Sequence, residues 1–372
     1  MKILMQIRAN AFSCSGGDTI QMQKTKDALE AMGYEVDLSL ELRPDLSAYD
    51  VVHLFNITRV QETYIQIKNA VEQGKPVVLS TIYWPFHEFE KQANIGIRRL
   101  LGRVLSADRM ASLKALAKFI LLGERDEGTR YLITHSYSKM QRYILENARV
   151  FLPNAYEEMN QIEKCLHFSA PKESVVVVPN AINVSAAKKA LETEGGYEEY
   201  KDWLICVGRI DTRKNQLRLL EALEGSDYKL LLVGKCSPGQ KKYFNAVMKK
   251  IENNPNVKYI EQIPNEELYQ LYRVCRVSVL PSWFETPGLV SLEAAAMGCN
   301  IVVTDKGTTK DYFGEYAFYC DVMDPKSIRE QIDLAYHAPF REEFREKIMR
   351  DYTWEQAAIA TLEGYKKVLS EA

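Results

Sequence analysis

The chain has 372 residues, more than a single hydrophobic core usually supports, so two domains are expected. Its 46% hydrophobic and 26% charged residues are ordinary for a globular protein, and a net charge of −2 argues against a dedicated nucleic-acid-binding protein. Seven scattered cysteines without a C-x-x-C pair argue against a disulfide framework or a zinc site. The chain starts in a strand pattern, without a signal peptide or a bilayer-length apolar run, so a cytoplasmic protein is expected.

The first half of the chain alternates short apolar strands with helices. We predict strands at 3–7, 34–40, 51–55, 76–81, 131–134, 150–154 and 175–178. We predict helices at 20–32, 65–73, 138–147 and 155–168. This alternation indicates βαβ units and a parallel sheet. A loop of small residues, Ser15-Gly16-Gly17, lies between the first strand and the first helix.

A basic amphipathic segment interrupts this alternation between about residues 87 and 125. Asp108 is the only acidic residue between Lys91 and Lys118, among several cations and many apolar residues. Such a segment can lie on the anionic inner face of a membrane or bind a partner. The alternative is a helical excursion packed on its own domain, with its cations in water. Peripheral membrane contact through residues 91–118 is therefore one of two expectations.

A second α/β set follows the polar stretch 192–201, which we interpret as an interdomain linker. We predict strands at 203–207, 229–233, 257–260, 276–280, 300–304 and 317–320. We predict helices at 215–223, 243–253, 265–274, 325–336, 342–351 and 355–369, with another that begins near residue 289.

The stretch 282–294 joins strand 276–280 to the helix that begins near residue 289. Its turn, Pro287-Gly288, is framed by Glu285 and Glu293. The N–H groups and the positive dipole end of a helix start favour an anion in such a loop. Carboxylates beside an anion site usually accept hydrogen bonds from hydroxyl groups. The stretch predicts a sugar nucleotide or a similar ligand, and the alternative is an ordinary βα unit with two surface glutamates.

Two cations at the end of an earlier strand complement that stretch. Arg209 follows strand 203–207 directly, and Lys214 lies about one turn further on. Ligands of open parallel sheets bind at the carboxyl ends of the strands. An arginine and a lysine at that edge suit a diphosphate.

The pattern Gly208-Arg209…Lys214-Asn215, followed by the E-x7-E pair Glu285 and Glu293, resembles the retaining glycosyltransferases of family 4, the glycosyl transferases group 1. The resemblance implies the α/β GT-B fold, with two Rossmann-like domains facing a central cleft. It implies an acceptor-binding domain at 1–190, to which a C-terminal helix at 353–372 returns. It implies a nucleotide-sugar-binding domain at 195–352.

The resemblance also implies roles for the matched residues. Arg209 and Lys214 would bind and stabilise the leaving diphosphate, and Glu285 would contact the donor sugar. Glu293 would hold the ribose hydroxyls. The other implied donor-binding residues are the amides of Gly288, Leu289 and Val290 and the N-terminal Gly16 and Gly17.

One aromatic residue departs from the family pattern. Tyr83 stands where the family often has a histidine near the donor sugar, after the fourth strand. His87 lies four residues further on and would replace that histidine only if the loop bends back. His53 and His135 are interpreted as core or strand-end residues.

The function implied by the resemblance is retaining transfer of a hexose-type sugar from a UDP- or GDP-sugar to a glycan or lipid-linked acceptor, in surface-polysaccharide or glycolipid biosynthesis. No clear D-x-D motif is present, so neither a metal ion nor another cofactor is expected. The leaving phosphate would act as the base, so no protein nucleophile is assigned. A GT-B nucleotide-sugar epimerase and a non-catalytic GT-B partner subunit are the alternatives, which the four residues Arg209, Lys214, Glu285 and Glu293 disfavour.

Overall fold

The structure is a computed structural model that describes residues 1–13, 16–85, 89, 107–121, 126–193, 195–252 and 254–370. The chain divides into two compact units. The first consists of Met1–Asn180 and Trp354–Ala372, and the second of Ala181–Thr353. Each unit is built around a parallel sheet, as the alternation of predicted strands and helices indicates.

The first unit contains a five-stranded sheet in the order β2-β1-β3-β4-β5. Its strands are β1 (Lys2–Gln6), β2 (Glu35–Ser39), β3 (Val51–Phe55), β4 (Val77–Ser80) and β5 (Val150–Phe151). The helices described between them are α1 (Gly17–Ala31), α2 (Val60–Glu72), α3 (Ala107–Leu121), α4 (Glu127–Thr134), α5 (Tyr137–Asn147) and α6 (Tyr156–Leu166). This strand order is one of the two common orders of doubly wound α/β sheets.

The second unit contains a six-stranded parallel sheet in the order β11-β10-β9-β6-β7-β8. Its strands are β6 (Leu204–Val207), β7 (Leu230–Val233), β8 (Val257–Ile260), β9 (Val277–Leu280), β10 (Asn300–Thr304) and β11 (Ala317–Cys320). The helices are α7 (Val184–Glu192), α8 (Gln216–Ala222), α9 (Lys241–Ile251), α10 (Asn265–Val274), α11 (Leu289–Ala296), α12 (Thr309–Phe313), α13 (Pro325–His337) and α14 (Glu342–Asp351). If β6 is counted as the first strand of this unit, the strand order is that of the dinucleotide-binding α/β sheets.

Most central strands of the two sheets are rich in apolar residues and buried along their whole length. Every residue of β3, β4, β6, β7, β9 and β10 is buried. Such strands lack the apolar–polar alternation of a half-exposed sheet, because helices cover both faces of a parallel sheet.

The last helix, α15 (Trp354–Ser370), belongs to the first unit, where it packs against α1. Its Tyr365 hydroxyl lies 2.7 Å from Nδ1 of the buried His53, and the Ser80 hydroxyl lies 2.9 Å from the other ring nitrogen. Burial lowers the pKa of His53 to about 3, so its ring is neutral. His53 is a core residue, as expected.

Two strands predicted in the first unit are wrong. Residues 131–134 form the end of helix α4, whose Asp126 side chain caps the helix by accepting the Thr129 N–H. The strand prediction followed the β-forming residues there, but the cap and the packing of α4 on α2 favour a helix. His135 consequently lies after a helix rather than a strand. Of residues 175–178, only Val175 forms a β-bridge, to Phe151.

The boundary between the units falls earlier in the chain than the predicted linker. Helix α7 precedes that polar stretch and packs on α10 of the second unit. Asn183 caps α7 by accepting the Ala186 N–H at 3.2 Å, and its own N–H bonds the Tyr269 hydroxyl at 3.2 Å. These contacts place the residues after Asn180 in the second unit.

Most of the basic segment 91–118 lies outside the described residues. Its described part begins at residue 107 and forms helix α3. In the described part of the chain, no helix is both long and apolar enough to cross a membrane.

Candidate functional site

The order of strands in the second sheet reverses between β6 and β9. β6 is hydrogen-bonded to β7 on one side and to β9 on the other, and β10 and β11 continue outward from β9. Ligands of open α/β sheets bind outside the carboxyl ends of the strands at such a switch point. The segments that follow β6 and β9, residues 208–215 and 281–288, therefore form the candidate site.

Glu285 is a buried carboxylate held by two cations from the segment after β6. Its Oε1 atom lies 2.6 Å from Lys214 Nζ and 3.2 Å from Arg213 Nη1. Only 4% of Glu285 and 8% of Lys214 are exposed to solvent. Burial by itself would raise the pKa of Glu285, but Lys214 and Arg213 outweigh it and lower that pKa. The carboxylate is therefore ionised at neutral pH.

The site carries more positive than negative charge. Its two segments contain three cations, Arg209, Arg213 and Lys214, and two carboxylates, Asp211 and Glu285. Burial lowers the pKa of Lys214, and Arg213 adds to this effect while Glu285 opposes it. Arg209 is exposed, and its guanidinium has no side-chain partner among the described residues. An anion that enters the site would relieve this repulsion between cations.

The segment after β6 is fixed by two polar side chains. The Asp211 carboxylate accepts the Lys214 N–H at 3.0 Å. The Asn215 amide donates to the carbonyl groups of Pro281 and Val322 at 3.1 and 2.9 Å. The bond to Pro281 ties the segment after β6 to the segment after β9, so Lys214 is held in place without a ligand.

The backbone of Glu285 is fixed by the loop that follows β10. The Glu285 N–H donates to the Lys306 carbonyl at 3.2 Å, and the Glu285 carbonyl accepts the Thr308 N–H at 2.9 Å. Gly307 has a φ of +105°, and a Cβ atom there would lie 1.9 Å from the Glu285 carbonyl oxygen. Glycine is therefore required at this position. A glycine shortly after a buried strand was the only signal of this role in the sequence.

Gly288 leaves space between Glu285 and the start of α11. It precedes α11 with a φ of +87°. A Cβ atom on Gly288 would lie 3.5 Å from Glu285 Oε2, whereas both cations contact Oε1. The first N–H groups of a helix have no partner within it, so those of Leu289 and Val290 are donors for an anion.

Glu293 lies on the same helix as Leu289 but in a different environment. It is half-buried and lies near the Tyr269 hydroxyl. Burial raises the pKa of Glu293 to about 7, and the nearby Tyr269 hydroxyl only partly offsets this. Glu285 is thus ionised at neutral pH, while the raised pKa of Glu293 lies close to neutral pH. The sequence patterns did not point to Tyr269, because only the fold brings α10 to α11.

Gly16 and Gly17 lie in the first unit, at the start of α1. A Cβ atom on Gly16 would lie 2.9 Å from Asp18 Oδ1, and one on Gly17 would meet nothing within 4 Å. Asp18 forms a buried ion pair with Arg8, with 2.8 Å between Oδ2 and Nε. This pair was not predicted, because it joins a strand end to a helix start. The approach of a ligand to these glycines stays a prediction.

Tyr83 follows β4 in the first unit and is buried in its core. Burial raises the pKa of the Tyr83 phenol, and the nearby thiol of Cys165 on α6 adds to this shift. Its role as a sugar ligand stays a prediction, and His87 lies outside the described residues.

In the described residues, no group of three or more acidic, histidine or cysteine side chains is close enough together to hold a metal ion. Whether the reaction needs a metal ion stays a prediction.

Doubly wound parallel sheets with a cationic group at the switch point are typical of nucleotide-binding α/β proteins. Residues 188–351 match the family model described as glycosyl transferases group 1. These residues, most of the second unit, are therefore similar to the glycosyl transferases group 1, which confirms the resemblance stated from the motifs at this level. Membership of family 4 stays a prediction.

Curated relatives are identical to the chain at about a quarter of the aligned positions. An uncharacterized glycosyltransferase of Methanocaldococcus jannaschii is 26% identical over 223 residues, 55% of this chain and 57% of the relative. The serotype-specific mannosyltransferase WbdA of Escherichia coli is 25% identical over 59% of this chain and 26% of its own length. A D-inositol 3-phosphate glycosyltransferase of Pseudarthrobacter chlorophenolicus is 24% identical over 65% of this chain and 57% of its own length. The chain thus spans little more than half of these relatives at most.

Solved structures with the same fold cover the whole chain. Sucrose-phosphate synthase from Thermosynechococcus elongatus superposes with a TM-score of 0.71 at 16% identity, covering 100% of both chains. Anabaena HepE, solved with UDP and glucose, has a TM-score of 0.61 at 13% identity, covering 100% of this chain and 98% of its own. The chain therefore has the fold of the GT-B glycosyltransferases, as predicted.

Proposed function

We propose that the protein is a retaining glycosyltransferase that moves a hexose-type sugar from a UDP- or GDP-linked donor to a glycan or lipid-linked acceptor. The observation that carries this proposal is the buried group of Lys214, Glu285 and Arg213 at the switch point of a domain similar to the glycosyl transferases group 1. The complex of HepE with UDP and glucose, and the mannosyltransferase relative, support a nucleotide-sugar donor. The retaining outcome rests on the family resemblance.

The donor diphosphate would bind to the cations and to the start of α11. Lys214 is buried and held by neighbouring bonds, so its charge loses little to solvent and needs no reorientation during the reaction. Arg209 is exposed and has no side-chain partner in the part of the chain described, so it is available to a phosphate. The N–H groups of Leu289 and Val290 would add neutral donors. These groups stabilise the charge that develops on the diphosphate when the sugar leaves.

Glu285 would orient the donor sugar rather than attack it. Its charge is already balanced through Oε1 by Lys214 and Arg213, which weakens the carboxylate as a nucleophile. Oε2, on the side of Gly288, would accept a hydrogen bond from a sugar hydroxyl. The leaving phosphate would take the proton of the acceptor hydroxyl.

Glu293 would accept hydrogen bonds from the ribose hydroxyls. The ionised carboxylate is the better acceptor, and its fraction increases as the pH rises through about 7. Tyr269 would hold this carboxylate in position.

We place the reaction in surface-polysaccharide or glycolipid synthesis, at the inner face of a membrane that residues 91–118 contact. Co-sedimentation with vesicles of anionic phospholipid at low salt tests this contact. Protein that stays in the supernatant under those conditions would contradict it.

The reaction itself is tested by release of UDP from UDP-glucose and of GDP from GDP-mannose, first with water and then with sugar acceptors. Lys214→Met should slow release by roughly 100-fold or more, because it removes a buried charge from the leaving group. Lys242→Met removes the same charge from an exposed position on α9 and should leave the rate unchanged. An α-linked product from an α-linked donor, seen by proton NMR, would support retention. Equal rates for wild type and Lys214→Met would contradict the proposal.

A further inference from the structure

A buried carboxylate in the first unit, Glu158 on α6, takes no part in the site described above. It is 0% exposed to solvent. Its Oε1 atom accepts the Tyr83 N–H at 2.8 Å and also the Thr81 hydroxyl, while Oε2 accepts the Asn154 N–H at 2.9 Å. All three donors lie shortly after β4 or β5, so Glu158 joins the ends of two adjacent parallel strands.

The Glu158 carboxylate lacks a countercharge among the described residues. Burial raises the pKa of Glu158 to about 7, and only hydrogen bonds oppose this shift. In the described residues, no cation pairs with Glu158. A buried charge without a counterion costs stability, and an apolar side chain would avoid that cost. The position of the carboxylate therefore calls for an explanation other than stability.

The turn that Glu158 holds has a strained residue at its centre. Ile82 has a φ of +43°, a left-handed conformation that a β-branched residue rarely adopts. Such strain persists only where neighbouring contacts fix the backbone, and it is concentrated at functional sites. Glu158 bonds the residues on both sides of Ile82, Thr81 and Tyr83.

Three acceptor contacts explain why the residue is a glutamate. An ionised carboxylate offers two oxygen acceptors and no donor. A glutamine would turn an N–H toward either the Asn154 N–H or the pair Thr81 and Tyr83. It would thereby lose at least one of the three bonds while keeping the size of the side chain.

We propose that Glu158 is a positioning residue that holds the turn from Thr81 to Tyr83, at the carboxyl edge of the first sheet, in the conformation that sugar transfer requires. Ligands of doubly wound sheets bind at this edge. The role of Glu158 in sugar transfer rests on the proposed function, whereas its hydrogen bonds do not. Glu158 itself does not contact substrate.

Amide hydrogen exchange measures the hydrogen bonds directly. In Glu158→Gln, the amides of Tyr83 and Asn154 should exchange at least ~10-fold faster. The side-chain amide of glutamine has one oxygen acceptor and one N–H donor group, so it cannot accept hydrogen bonds on both sides. The amide of Leu152, which bonds the Leu79 carbonyl, should exchange as in the wild type and so report that the sheet stays folded. Glu163→Gln, at an exposed position on the same helix, is the matched control.

A second pair of variants covers the case that Glu158→Gln does not fold. Thr81→Val removes one donor at nearly constant volume, while Thr81→Ser retains the hydroxyl. Thr81→Val should increase exchange at Tyr83, and Thr81→Ser should not.

Kinetics separate positioning from general damage. Glu158→Gln should bind UDP with wild-type affinity, because the proposed nucleotide site belongs to the second unit, yet release UDP or GDP from its sugar nucleotide at least ~10-fold more slowly. Wild-type exchange at Tyr83 and Asn154, or an unchanged release rate despite faster exchange, would overturn the inference. A wild-type protein that releases no nucleotide would refute the proposed function, and the exchange at Tyr83 and Asn154 would then decide whether Glu158 holds the turn.

Discussion

Lys214 Nζ lies 2.6 Å from Glu285 Oε1, although the two residues are 71 positions apart in the chain. The contact joins the segment after β6 to the segment after β9, the two central strands of the second sheet. Because both residues are buried, the contact fixes a charged group at the point where a doubly wound sheet binds its ligand.

Arg213→Met should weaken UDP binding by about 3- to 10-fold, less than Lys214→Met. Arg213 supplies the second cation on Glu285, but 26% of its side chain is exposed, so solvent screens its charge more than that of Lys214. Isothermal titration calorimetry with UDP measures the difference. Arg218→Met, on α8 outside the two segments of the site and with 39% of its side chain exposed, is the control and should bind like the wild type.

Gly307→Ala should destabilise the second unit by roughly 2–5 kcal/mol, measured by urea unfolding. The added Cβ would lie 1.9 Å from the Glu285 carbonyl oxygen, and the residue has a φ of +105°. Gly225→Ala isolates the backbone cost, because Gly225 has a φ of +70° in open space. That control should lose only about 1–2 kcal/mol. Equal losses in the two variants would show that the loop after β10 does not hold Glu285 tightly.

Glu293→Gln tests the raised pKa of that carboxyl. Its folded-state pKa of about 7 lies above the ordinary value of 4.5, so Glu293 binds more protons in the folded than in the unfolded chain between these values. This contribution to stability is complete below pH 4.5 and is lost as the pH rises through about 7. The free energy of unfolding of the wild type relative to Glu293→Gln should fall by ~1 kcal/mol or more between about pH 5 and about pH 8. A difference that is constant over this range would contradict the shift.

Tyr365→Phe should cost the first unit about 1–3 kcal/mol, because it removes the partner of a buried ring nitrogen of His53. Urea unfolding measures the loss. Tyr156→Phe removes a hydroxyl from a side chain that is 72% exposed in the same unit and should be nearly neutral. Equal stability of the two variants would argue that the contact between α15 and β3 contributes little.

The parallel sheets could be predicted because their strands are short, apolar and separated by helices. The two errors fall where this signal is weak. Residues 131–134 have β-forming side chains, but Asp126 caps a helix there. Val175 pairs with Phe151 by a single bridge, so an apolar run did not become a strand. Helix α7 was missed, although Asn183 is a recognisable cap, because the polar residues beside it favoured a linker.

The candidate site could be predicted only as separate pieces of chain. Motif spacing pointed to Lys214 and Glu285, but spacing does not reveal a contact across 71 residues. Arg213 was missed because nothing in its neighbourhood distinguishes it from a surface cation. Gly307 and Glu158 were missed because their roles depend on backbone groups that only the folded chain brings near.

Calorimetric binding of UDP and GDP to the wild type, Lys214→Met and Lys242→Met tests the central claim most directly. The account predicts that one of the two nucleotides binds the wild type and Lys242→Met equally well, and binds Lys214→Met at least ~30-fold more weakly. Equal affinity of that nucleotide for all three proteins would contradict the assignment of the group around Glu285 as the diphosphate site, as would the absence of binding to the wild type.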